Sequence, residues 1–107
     1  MQLACARIAP MSDKYEVFRS ATARALFDTP GKTSRELRQA VAAGTAPPEL
    51  AALVEKIHSC AYTVTDSDLD LLRQSYTEDQ LFEIIVAAAF GAAADRLAAA
   101  RQALEKA

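Results

Sequence analysis

Histidine is almost absent from this 107-residue chain: His58 stands alone, and the only cysteines are Cys5 and Cys60. A resident metal ion needs several imidazole, thiolate or carboxylate ligands converging on one point, so this composition argues against a metal site. No residue pattern asks for a cofactor. The two cysteines form no closely spaced framework, and the opening MQLACARIAP lacks the basic start and sustained apolar run of a secretory signal. A cytoplasmic protein in a reducing compartment is expected. Excess positive charge is missing too. A net charge of −2 and a pI near 5.3 supply no field for phosphates or anionic lipid, which argues against nucleic acid and membrane surfaces as partners. The longest uncharged apolar run, IIVAAAFGAAA at residues 84–94, is about half of the roughly 20 residues a membrane span requires, and Glu83 and Asp95 bound it.

Strand patterning is also missing. Apolar and polar residues nowhere alternate for long, while alanine-rich segments with a helical period recur throughout, so the chain reads as all-α. Its length suits one compact helical domain of about five helices. A first helix is expected over residues 12–27, with Tyr15, Phe18, Ala25 and Leu26 on one side and Pro30 and Gly31 ending it. A short second helix starts at Thr33, with Glu36 completing a capping box, and stops near Gly44, which tolerates the left-handed conformation of a helix end. Pro47 and Pro48 suit the first turn of a third helix, where no amide donor is needed. Leu50, Leu53, Val54, Ile57, Ala61 and Val64 then draw one apolar stripe, with Glu55 and Lys56 pointing away. Thr65 caps a short fourth helix whose first turn carries Asp66 and Asp68. Thr77 with Gln80 opens a long last helix running to the C-terminus.

The segment LAALVEKIHSCAYTVTDSDLDLLRQSYTEDQLFEIIVAAAFGAAADRL resembles the alkylhydroperoxidase D-like, or carboxymuconolactone decarboxylase, family over residues 47–104. That resemblance implies a helix leading into a Cys-x-x-Cys-x-x-x-His motif, a short helix and a long apolar helix, with a glutamate about twelve residues upstream. Without gaps, the first motif cysteine falls on Cys60 and the family's tyrosine on Tyr62; Thr63 replaces the second cysteine and Ser67 the histidine. Glu49 stands one position short of the expected glutamate. A dithiol peroxidase needs one thiolate to attack, a second thiol to resolve the sulfenic acid and a base to keep the first ionised. Thr63 and Ser67 can do neither of the last two tasks. His58 is two residues from Cys60, and side chains so spaced do not face each other on a helix.

Other motifs are fragmentary. DSDLD carries carboxylates at the first, third and fifth positions of a calcium loop, but Leu71 and Thr77 stand where glycine and glutamate belong. GKT at residues 31–33 ends like a phosphate loop, with Leu26 in place of the leading glycine and no strand before it. Glu78, Asp79 and Glu83 read as a solvated face of the last helix.

The expected function is therefore a non-redox helical protein that works as a homo-oligomer. The apolar circumference of residues 84–94 is more than one small subunit covers. The family resemblance suggests a trimer or a multiple of it, with a dimer the alternative. A small apolar ligand would be held in a remnant pocket around His58, Cys60, Tyr62 and Thr63. The alternative is a decarboxylase-like enzyme acting on a small organic acid or lactone without thiol chemistry, using His58, Glu55 or Tyr62 as acid or base and Arg73 or Arg96 for the anion. A third reading is a single-cysteine peroxide sensor, which needs Cys60 exposed and readily ionised.

Overall fold

The computed structural model describes the backbone of residues 2–106 and the side chains of residues 15–106, so Cys5 lies outside the described side chains. Among the described residues the chain is all α. Five helices, α1 (Gln2–Phe27), α2 (Arg35–Ala42), α3 (Pro48–Cys60), α4 (Asp66–Leu72) and α5 (Glu78–Lys106), are joined by short connections, with a 3-10 turn at Ala61–Thr63 between α3 and α4. None of the described helices is long and apolar enough to cross a membrane. Helix α1 ends at Phe27 as the sequence predicts but begins at Gln2, well before residue 12.

Local chemistry sets most of the helix ends. Thr65 accepts a hydrogen bond from the Asp68 amide while the Asp68 carboxylate accepts from the Thr65 amide, a complete capping box at the start of α4. Thr77 and Gln80 make the same reciprocal pair ahead of α5, at 2.9 and 3.1 Å. Helix α2 ends in a Schellman turn. Gly44 takes φ 87°, its amide donates to the Val41 carbonyl, and the Thr45 amide donates to the Ala40 carbonyl. The start of α2 differs from expectation. Its cap is Ser34, whose hydroxyl accepts from the Leu37 amide, because both the amide and the hydroxyl of Thr33 are taken by Glu83 of α5.

The core is one cluster. Val41 of α2, Leu50, Leu53, Val54 and Ile57 of α3, Leu72 of α4 and Leu81, Ile84, Ala87 and Ala88 of α5 are all buried in it. The α3 stripe thus packs as its spacing predicts as far as Ile57, and Val64 joins the edge of the cluster. Ala61 is exposed, because the helix stops at Cys60 and the 3-10 turn rotates that position outward. Each buried leucine, isoleucine or valine contributes about 1.5–3 kcal/mol relative to exposure. Lys56, expected to point away, closes the α3–α4 corner by donating to Asp68 at 2.8 Å. With the Thr65 amide, that contact holds the Asp68 carboxyl below its ordinary pKa.

Helices α2 and α5 meet where the chain has no side chain at all. A Cβ built on Gly91 would stand 1.9 Å from the Ala42 carbonyl oxygen and 2.6 Å from its Cα, so α2 lies directly on the α5 backbone. No rotamer change relieves contact with a main chain. Gly91→Ala should therefore push the two helices apart and destabilise the protein by roughly 3 kcal/mol, the upper range for overpacking. Urea unfolding measures it; a change under about 0.5 kcal/mol would mean that the two backbones are not in contact.

Candidate functional site

The segment from His58 to Thr63 occupies the last turn of α3 and the 3-10 turn after it. Cys60 marks the break, with φ −145° and ψ 74°. His58 is half-buried, and its Nε2 lies 2.9 Å from the Val41 carbonyl oxygen at the end of α2. A carbonyl can only accept, so Nε2 carries the proton and donates. The His58 carbonyl in turn accepts from Arg96 Nη2 of α5 at 2.8 Å. Cys60 is an exposed free thiol, Tyr62 is 88 % exposed, and the Thr63 hydroxyl donates to the Cys60 carbonyl at 2.6 Å. The His58 ring is turned to the end of α2, and no hydrogen bond joins it to Cys60, whose backbone has already left helical geometry. Cavities of about 210 and 270 Å³ flank the loop at residues 29–31, and neither includes His58, Cys60, Tyr62 or Thr63.

Glu55 is exposed on α3, whereas Glu49, Arg73 and Arg96 are engaged within the chain. Glu49 lies in the first turn of α3, eleven residues and about 16 Å of helix rise from Cys60, and accepts a hydrogen bond from Tyr76 Oη at 2.9 Å. Burial and the nearby Glu49 together raise the Tyr76 pKa. Arg73 donates from Nε to Glu78 at 2.7 Å and also pairs with Asp70, contacts that raise its own pKa. Arg96 is held by the His58 carbonyl.

The most densely bonded polar cluster lies elsewhere, between the α1–α2 loop and α5. Glu83, expected on a solvated face, accepts from the Lys32 amide at 2.7 Å, the Thr33 amide at 2.9 Å and the Thr33 hydroxyl at 2.7 Å. Arg38 reaches the same carboxylate at 3.6 Å from a side chain that is almost wholly buried. Its Nη1 donates to the Thr33 carbonyl and its Nη2 to the Thr29 carbonyl, both at 2.8 Å, while Nε is buried without a partner. The backbone of Gly31 covers this pair so closely that a Cβ there would come within 2.6 Å of Arg38 Nη1. The GKT segment is therefore an anion cradle of backbone amides, and its anion is the protein's own carboxylate. Sequence reading missed Arg38, although an arginine three residues before the buried Val41 on a short helix shares that core-facing side.

Comparison with known proteins finds no match. That holds for family models, curated proteins and solved structures alike. Among the described residues, no group of three or more His, Cys, Asp or Glu side chains is placed to hold a metal ion.

Chemically, then, Cys60 presents a thiol with no resolving partner among the described side chains, and the Arg38–Glu83 cradle is already filled. Burial acts to raise the Glu83 pKa, but the hydrogen bonds from Lys32 and Thr33 and the charge of Arg38 outweigh it and leave the carboxyl below its ordinary 4.5. A depressed folded pKa gives stability that is fully present above the ordinary value and is lost as pH falls through the lowered one. Glu83→Gln should thus cost roughly 3 kcal/mol at pH 7, where it strands the buried guanidinium, and should lose less stability than the native chain as pH drops below 4.5. Urea unfolding at both pH values measures this, and parallel pH profiles would show that Glu83 is not the charged partner.

Proposed function

We propose that this chain is a non-redox homo-oligomeric helical protein, a degenerate relative of the alkylhydroperoxidase D-like proteins that residues 47–104 resemble. One observation carries the reading: the groups that peroxide chemistry at Cys60 would draw on are engaged in bonds within the fold. His58 Nε2 donates to Val41, Glu49 accepts from Tyr76, and the Thr63 hydroxyl turns back onto the Cys60 carbonyl. A thiolate needs a neighbouring base or cation to ionise and a second thiol to resolve it. Threonine supplies no second thiol.

In this reading the 58–63 segment is a surface for association. A small apolar ligand beside Cys60, Tyr62 and Thr63 would need a wall from another copy, because Tyr62 is almost fully exposed on its own subunit. The exposed free thiol of Cys60 suits the reducing conditions of the cytoplasm. The decarboxylase-like alternative requires a free anion-binding arginine, and Arg73 and Arg96 are both engaged.

Two measurements test the proposal. Peroxide consumption with a dithiol reductant should be the same for the native chain and for Cys60→Ala; a tenfold deficit in the variant would establish thiol catalysis and overturn the non-redox reading. Light scattering at micromolar concentration should give a multiple of the 11.5 kDa chain mass, and a stable monomer would end the oligomeric one.

A further inference from the structure

Helix α5 has two apolar faces. The inner one carries Ile84, Ala87, Ala88 and Gly91 into the core. At 3.6 residues per turn the opposite face holds Phe82, Ala89, Ala93, Leu97, Ala100 and Leu104, an uncharged strip about 33 Å long. These six side chains are exposed, Phe82 and Leu104 by 68 % and 70 %. The neighbouring outer side of α1 adds Val17 and Phe18, also exposed. The Cα framework is only 18 Å thick, two layers of helix, and among the described residues no third layer stacks over this strip.

The amount of uncovered surface fits a second copy. A monomeric globular protein of 11.5 kDa exposes about 5800 Å² by the usual size scaling. This chain exposes 7432 Å², an excess of about 1600 Å² that is spread over a frame 53 Å long and to which the α5 strip contributes. Obligate homodimers bury roughly 1000–2500 Å² on each partner.

We infer that the outer face of α5 is the seam of a two-fold homodimer in which the two α5 helices pack antiparallel, centred on Ala93. This deepens the oligomeric reading above and rests on it. The strip has a sequence symmetry that only the antiparallel arrangement uses. About Ala93, Phe82 meets Leu104 of the other copy and Ala89 meets Leu97, so the inner pair sets a large side chain against a small one. Small residues near the centre let the backbones approach. The antiparallel arrangement also keeps apart the two acidic first turns with Glu78 and Asp79, which a parallel pair would set side by side.

Single-cysteine variants in a Cys5→Ala/Cys60→Ala background test the seam with a short bis-maleimide. Ala93→Cys should cross-link to a dimer nearly completely, Asp95→Cys on the opposite side should not, and Leu104→Cys should cross-link with Phe82→Cys in a mixture but not with itself. Separately, Leu97→Glu with Leu104→Glu should reduce the scattering mass to that of one chain while the far-ultraviolet helical signal is retained. Self-cross-linking of Leu104→Cys would overturn the antiparallel arrangement. An oligomer that survives the double glutamate change, with Ala93→Cys uncross-linked, would overturn the seam and leave the oligomeric reading standing. A native chain that scatters as a monomer would overturn both.

Discussion

The close approach of α2 to α5 at Gly91 governs the rest of the structure. Because the Ala42 carbonyl lies against bare backbone, the last turn of α2 is fixed in depth and direction, and Val41 is delivered to the centre of the core. The Schellman turn after it then leaves Gly44 facing the His58 ring, which a Cβ at that position would just touch, and the ring's Nε2 holds the Val41 carbonyl. Arg96, one and a half turns beyond Gly91 on α5, closes the circuit through the His58 carbonyl. Three helices are thus pinned around a point that a single methyl group would open.

The opposite end of α2 is fixed by different means. There a buried guanidinium and a carboxylate hold the α1–α2 loop to α5, with the loop's own amides and carbonyls supplying most of the bonds. A buried ion pair is weak as a source of net stability but costly to break. Its contribution here is geometric: it sets where α1 leaves the core. Apolar packing at one end and a charged clasp at the other give α2 a single seating on α5.

Much of this was legible in the sequence where the determinant is local. Thr65 with Asp68, Thr77 with Gln80, Gly44 and the double proline mark helix ends because their partners lie within a few residues. The spacing of Leu50, Leu53, Val54 and Ile57 names the core face of α3 for the same reason. Misreadings arise where a distant residue intervenes. Thr33 looks like a cap and fails to be one because Glu83, fifty residues on, takes its donors. Glu83 itself looks solvated because nothing near it in sequence announces Arg38. In the 58–63 segment the sequence supplied residue types but not their engagements, since the Val41 and Arg96 contacts both come from other elements.

The bond from His58 to Val41 has one more implication. The His58 ring is bonded to a carbonyl in the last turn of α2, while the residue's own carbonyl accepts from Arg96 of α5. One residue of α3 thus reaches one neighbour through its side chain and another through its backbone. The chain's one histidine is a strut, and its place in the sequence is accounted for by what it spans.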